Sequence, residues 1–464
     1  MAGPSTREPK MYNCKYAIPI LACVVIQIAG CATVDPRPDY DEVKGIIRKT
    51  TGRQEVFDPD TPPLSSSEIS SVLADGLTLD EALRLALLNN QRLQAGFMRL
   101  GIGRAEYVQA GLLKNPKVSL AFLLPSGGGR GKLAVDLLEP IADLWQISKR
   151  KQFAKAELSQ VVLEVSRFAG ELVAETRIAY FESVAASELR VIAEAEVEVS
   201  QKQLEAVRRQ VDSGVALATD ANLAQSFALS TELAFRRAER QVVTTRRRLA
   251  ALLSLEQDLQ NAEFTDRIPT MFATQLDRES IVELSRATRL DVRAAEAAIL
   301  SANAQIALEK NKRIPEFDAG VSVERPESGG STSVLAGPAL NLELPIFDQN
   351  QARVSQAEFR LRELIHEHQA LVSEVAQEVR AAADRTRASI ETARFVESEL
   401  LPQAESSAVL AEKAYALGST TILPLLESTR AVLSARQSRV ESLLDAVLSF
   451  IDLERKAAMP LAHD

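Results

Sequence analysis

Lys117-Val-Ser-Leu-Ala-Phe-Leu-Leu124 and Lys132-Leu-Ala-Val-Asp-Leu-Leu-Glu139 each alternate on a two-residue period. Val118, Leu120, Phe122 and Leu124 fall on one side of the first stretch. In the second, Leu133, Val135 and Leu137 oppose Lys132, Ala134 and Asp136. About two hundred residues later the device recurs: Val321 and Val323 alternate with Asp318, Ser322 and Glu324, and Leu340, Leu342, Leu344 and Ile346 alternate with Asn341 and Glu343. A Ser-Gly-Gly loop separates the stretches in each case, Ser126–Gly128 and Ser328–Gly330. Alternate side chains of a strand point to opposite faces, and one apolar and one charged face suit a strand between lipid and water. The spacing predicts two hairpins, about 117–141 and about 318–346. Lys132, Asp136, Asp318, Glu324 and Glu343 are then placed on the side facing a water-filled lumen. Ordinary amphipathic hairpins covering a soluble core are the competing reading. Pro338 removes a ladder donor, so a bulge is expected there. Four strands cannot close a barrel, and an open edge in lipid leaves backbone groups unpaired at several kcal/mol each. Membrane hairpins of this kind therefore require several chains to share one barrel.

Outward from the hairpins the chain reads as long helix. Ala, Leu, Glu, Arg, Gln and Val dominate, and such residues lose little freedom in a helix. Between Pro140 and Pro269 there is no proline, and only Gly170 interrupts Trp145–Val211, a run of 67 positions. That is about 100 Å of helix. Asn350–Leu417 matches it, with Pro402 expected to bend it. Leu158, Val161, Val165, Phe168 and Leu172 step by three and four as in a coiled coil. Gly214 and Gly418 are placed to end these helices in the left-handed region. Shorter limbs, Asp220–Leu253 and Ile422–Lys456, then return, each too short to match its partner unless a helix such as Gln91–Leu113 stacks on its end.

Order and type of landmark repeat: Pro116 and Pro315, Pro140 and Pro345, Gly214 and Gly418, at offsets of 199, 205 and 204. The chain is therefore expected to hold two copies of a helix–hairpin–long-helix unit, 77–262 and 263–456, with a tail at 457–464. Thr78, with Glu81 three residues on, opens the first copy as a capping box. Residues 32–76, rich in Asp, Pro, Ser and Thr, are expected to form an extended linker.

The first 30 residues read as an export signal. Lys15 precedes the apolar run Tyr16–Gly30, too short to span a bilayer but long enough for a signal core. It closes in Ile28-Ala29-Gly30-Cys31, which resembles a bacterial lipobox and implies cleavage before Cys31 and acylation of its thiol. Cys14 and Cys23 leave with the signal, and the 433 residues after Cys31 hold no cysteine. Neither a disulfide framework nor a thiolate metal site is open to the body of the protein. The formal charge is −9, and removing the three bases and one acid of residues 1–30 leaves −11. That balance argues against nucleic-acid binding.

Taken with Glu343-Leu-Pro-Ile-Phe-Asp-Gln-Asn-Gln-Ala-Arg-Val354 and Gln356-Ala-Glu358, this order of elements resembles the TolC/OprM-type outer-membrane efflux channel family over about residues 77–456. The resemblance implies a mainly α protein with a membrane β-barrel. Three copies would make a 12-stranded barrel continued by a 12-limb helical tunnel through the periplasm. It implies a lipid-anchored outer-membrane location, and a passive duct working with a periplasmic adaptor and an inner-membrane pump, expected to be of the RND type. The family's tip and gate correspond here to Gly214, Asp220, Tyr415, Gly418 and Glu427. Thr420 and Pro424 stand where some members have an Arg and an acid, which weakens the expected salt-bridge gate. Asp220 reads equally well as a helix cap.

Ser126–Leu133 fails as a phosphate loop, since its first Gly is Ser126 and its last hydroxyl residue is Leu133. His366 and His368, two apart, point to different faces of a helix. No catalytic residue, metal site or cofactor is expected. Two alternatives stand beside the efflux duct: a type I protein secretion duct, and an envelope-spanning coiled-coil lipoprotein without a pore.

Overall fold

In the computed structural model the described residues are 32–62, 64–124, 126, 127, 131–256, 259, 262–270, 277–325 and 334–461. Cys31 and the export signal, Gly128, the Ser328–Gly330 loop and His463 lie outside them. Among the described residues no helix is long and apolar enough to cross a membrane.

The described residues open with α1 (Arg37–Thr51) and α2 (Ser66–Ala74). This corrects the expected extended linker. Pro38 sits in the first turn of α1, where a missing N–H costs nothing, and Gly52 ends the helix at φ +72°. Tyr40, Val43 and Ile47 fall on one helical face and are buried, a three-to-four spacing hidden among polar residues. Arg104 grips Asp39 through two hydrogen bonds of 2.6 Å, fastening α1 to the main body.

The main body follows as α3 (Leu79–Asn89), α4 (Gln91–Ala110), β1 (Lys117–Leu123), β2 (Lys132–Pro140), α5 (Asp143–Asp212) and α6 (Ala218–Leu252). Then come α7 (Arg278–Thr288), α8 (Leu290–Asn311), β3 (Phe317–Arg325), β4 (Leu335–Leu342), α9 (Gln351–Phe395), α10 (Leu401–Ala416) and α11 (Ile422–Ala457). The Thr78–Glu81 capping box opens α3 as the spacing predicts. At 70 residues, α5 is about 105 Å long. It packs against α1, α3, α4, α6, α8 and α11. Its buried positions are rich in alanine (Ala169, Ala174, Ala179, Ala185, Ala186, Ala193), which lets neighbouring helices approach closely.

The shorter helices stack end to end. Asn90 is the joint between α4 and α6: its Oδ1 accepts the Arg92 and Leu93 N–H groups at 3.0 Å, and its Nδ2 donates to the Leu252 carbonyl at 2.8 Å. One side chain thus satisfies orphan groups at a helix start and a helix end. Thr288, between α7 and α8, similarly donates to the Ala457 carbonyl at the end of α11 at 3.1 Å. Pro402, expected to bend its helix, is met by a change of helix type. Val396–Leu400 forms one π turn, with the Leu401 N–H bonded to the Val396 carbonyl. This wider turn absorbs the missing donor and the ring of Pro402 one residue later.

The four strands form one antiparallel sheet in the order β1-β2-β3-β4. Its register is continuous through Pro338, which pairs with Val321, so the expected bulge is absent. The Glu343 N–H donates to the Glu316 carbonyl at 3.0 Å, which makes 316/343 a hydrogen-bonded pair. Pairs alternate, so 321/338 is a non-bonded one, and the Pro338 nitrogen faces away from β3. β4 stops at Leu342, four residues short of the predicted end.

At Gly320 β3 runs tight against β2: a Cβ there would stand 1.8 Å from the Leu137 carbonyl oxygen, whereas one at Gly337 would meet nothing within 4 Å. Gly320→Ala should therefore destabilise by about 1–3 kcal/mol, and Gly337→Ala by less than about 0.5 kcal/mol. Denaturant unfolding of the two variants in detergent checks this, and equal costs would refute the close approach.

Candidate functional site

Two clusters of polar side chains stand at opposite ends of the helices. The first is one face of the sheet. Directly paired residues share a face, so the pairs Val118–Leu137, Leu120–Val135, Phe122–Leu133, Val135–Val323 and Leu137–Val321 build one apolar side, continued by Leu340. Most of these side chains are exposed in the single chain. The opposite side gathers Lys132, Asp136, Asp318 and Glu324. The Lys132 ammonium lies 2.8 Å from Glu324, the Ser322 hydroxyl donates to Asp136 at 2.6 Å, and Lys117 lies 3.0 Å from Asp318. Glu343 continues the same register, its N–H donating to the Glu316 carbonyl at 3.0 Å. It lies one residue beyond β4. Lys117 and Ser322 complete the face. Lys117 was findable from its place one step out of phase with Val118.

The second cluster lies at the far end, where α5 turns into α6 and α10 into α11. Both turns close in the same way. Gly214 (φ +74°) and Gly418 (φ +68°) are left-handed. Their N–H groups donate to Val211 and Tyr415 at 2.9 Å, and the next N–H groups, of Val215 and Ser419, reach back five residues to Gln210 and Ala414. This is the hydrogen-bonding of a Schellman-type helix end. Buried Leu204, Val207, Phe227, Ile422 and Leu426 hold the two turns together.

Asp220 accepts the Leu217 N–H at 3.1 Å and so closes the start of α6; its role within the single chain is that of a cap. The Tyr415 hydroxyl donates to Gln210 Oε1 at 2.6 Å, crossing from one turn to the other. Burial pushes the Tyr415 hydroxyl pKa up, opposed by the bond to Gln210 and reinforced by the charge of Asp220. Glu427 is exposed and paired with Arg430 at 2.9 Å, and that guanidinium also stands 5.1 Å from the Phe227 ring centroid. Gln210 carries no signal in the sequence, since its partner is 205 residues away. Val215, Leu217 and Leu417 project into solvent beside these bonds.

Among the described residues no group of three or more His, Cys, Asp and Glu stands where it could hold a metal ion. An antiparallel sheet with one apolar and one charged face, set at one end of helices about 100 Å long, is the architecture of TolC-type channels. Solved structures share this fold. The channel CusC superposes with a TM-score of 0.70 at 18% identity, covering 82% of this chain and 92% of its own. The Campylobacter jejuni CmeC outer membrane channel superposes with a TM-score of 0.70 at 16% identity, covering 86% and 89%. Residues 281–457 match the family described as outer membrane efflux protein. The cobalt-zinc-cadmium resistance protein CzcC of Cupriavidus metallidurans is 24% identical over 78% of this chain and 85% of its own length. The pyoverdine export outer membrane protein OpmQ of Pseudomonas putida is 23% identical over 81% and 84%. In sequence over residues 281–457, and in fold over most of its length, the chain is similar to outer-membrane efflux channels.

One buried acid stands apart from both clusters. Glu196, midway along the lower half of α5, is 5% exposed, and its Oε1 has no hydrogen-bond partner. Burial raises its pKa to about 7, against the opposing pull of Arg436. A carboxyl whose folded pKa exceeds its unfolded value contributes stability that is full below the unfolded value and is lost as pH rises through the folded one. The melting temperature in detergent should therefore fall between about pH 4.5 and pH 7. Glu196→Gln should flatten that slope and melt higher at pH 8. Parallel pH slopes for the two proteins would show that Glu196 does not titrate in this window.

Proposed function

We propose that this protein is the outer-membrane duct of a tripartite efflux system, a passive exit for substrates delivered by an inner-membrane pump through a periplasmic adaptor. The observation that carries the proposal is the open sheet: four strands, apolar on one face and charged on the other, with an unpaired edge on β1 and on β4. In lipid those edges must be paired. Pairing β4 of one copy with β1 of the next uses them without new structure, and three copies give 12 strands, inside the range of known barrels. The order of two helices, a hairpin, a long helix and a returning helix occurs twice along the chain. Stacked end to end, these supply four limbs per copy for a continuous tunnel, consistent with an internal duplication.

In this assembly Lys117, Lys132, Asp136, Asp318 and Glu324 line the barrel. The outward apolar stripe meets lipid, and the two turns form the periplasmic tip. Tyr415, Gln210 and Asp220 restrain the tip, and exposed Val215, Leu217 and Leu417 offer an adaptor an apolar footing. Cys31, acylated after signal cleavage, anchors the start of the mature chain. Pump-linked efflux of ions or small molecules is the reading favoured for the cargo, in keeping with the names of CzcC and OpmQ.

The purified protein should run as a heat-modifiable trimer and open channels in planar bilayers. Neither property would be seen in a coiled-coil spacer. Asp220→Ala should raise the conductance of the closed pore, and unchanged conductance would reduce Asp220 to its capping bond. Cys31→Ala, exported through a cleavable signal, should still yield trimeric channels, though fewer. Complete loss of membrane insertion in that variant would make the anchor indispensable.

A further inference from the structure

Where the strands run into helix, a groove of about 480 Å³ opens between α4 and α5. Tyr107, Leu144 and Ile147 supply its apolar surface; Ser148, Lys151 and Lys155 supply its polar one. Leu144 and the adjacent Trp145 are exposed although they occupy the first turn of α5. That turn begins three residues after β2 ends. Trp145 lies 5.7 Å, centroid to centroid, from Phe317 of β3, so apolar surface runs from the sheet to the start of α5. Lys151 and Lys155 stand eight and twelve residues into α5, about 12 and 18 Å from its start. Their aliphatic stems can lie along the apolar surface while the ammonium groups reach back toward the sheet. The Lys151 ammonium rests 5.1 Å from the Tyr107 ring centroid. Among the described residues neither lysine is engaged in an ion pair, unlike Arg150 beside them, which is bound to Asp143 at 2.8 Å. Glu106 and Glu157 stand on the same two helices, and burial together with the Glu106 charge pushes the Glu157 carboxyl upward.

We propose that this groove holds one anionic phospholipid of the periplasm-facing leaflet, its phosphate against Lys151 and Lys155 and an acyl chain along Leu144 and Ile147. Charge complementarity selects this occupant: two unpaired ammonium groups beside an apolar slot, at the level where a bilayer's headgroups meet water. A zwitterionic lipid fits the slot but answers the lysines less well. The inference rests on the outer-membrane placement of the sheet.

The chain's single tryptophan is Trp145, so its fluorescence reports on this junction. The full-length protein, reconstituted in phosphatidylcholine vesicles, would carry a small fraction of brominated phosphatidylglycerol or the same fraction of brominated phosphatidylcholine. Brominated phosphatidylglycerol should quench Trp145 more strongly. In the Lys151→Gln/Lys155→Gln variant, whose side chains keep their polarity and much of their length, that preference should fall roughly fivefold or more. Equal quenching by both lipids in the unmodified protein, or an unaltered preference in the variant, overturns the lipid site and leaves the membrane placement standing. Absence of quenching by either lipid overturns the placement itself, and the site with it.

Discussion

The structure depends on one uninterrupted hydrogen-bond ladder, the 70 residues of α5. An isolated helix of that length still exposes its apolar positions, and most helical stability in proteins comes from tertiary packing. Here six other helices pack on it at successive heights. Halfway along, the fully buried Tyr180 donates its hydroxyl to the Leu77 carbonyl at 2.8 Å and lies 2.9 Å from Asp266 Oδ2, which also accepts the Leu79 N–H at 2.7 Å. Leu77 and Phe264 form a parallel bridge at the same place. The start of the first copy and the segment after α6 are thus pinned to the same point of the spine, which sets where α4 sits above α6.

Length then becomes a problem of ends. A limb made from two helices leaves orphan carbonyls and N–H groups at every joint, buried beside a continuous neighbour. Asn90 and Thr288 answer this with side chains that reach across the joint. The π turn before Pro402 is a third answer, made inside one helix. Each satisfies backbone groups at a joint without adding mass.

What the sequence made legible follows from periodicity. The hairpins, the long helices and the left-handed Gly214 and Gly418 are written in local patterns of two, three and four residues. The end of β4 was not, because Leu344 and Ile346 keep the alternation while the ladder has stopped at Leu342. α1 was missed because prolines and acids obscured the spacing of Tyr40, Val43 and Ile47, and because Pro38 breaks a helix only when it is not in the first turn. Gln210 and the Asn90 joint were illegible for a different reason: both depend on tertiary partners far away in sequence. The charged residues within the strands, Lys132, Asp136, Asp318 and Glu324, share the expected face, since period two leaves no freedom once the register is set.

Pro338 shows how the sheet reconciles two demands on its edge. A strand edge that must pair with another copy is also a template for unwanted pairing. Because the Pro338 nitrogen faces outward from β3, the ladder within the chain loses nothing, while the outer edge lacks one donor in its middle. A neighbouring strand aligned there must leave one carbonyl to another partner, such as water on the charged side of the sheet. That cost is bearable when the remaining pairs are in register and the helices below already hold the copies together. It is less easily borne by an arbitrary strand with nothing else to gain. In the proposed shared barrel, the proline would therefore favour assembly in which the helical tunnel aligns the copies and the barrel closes as its consequence.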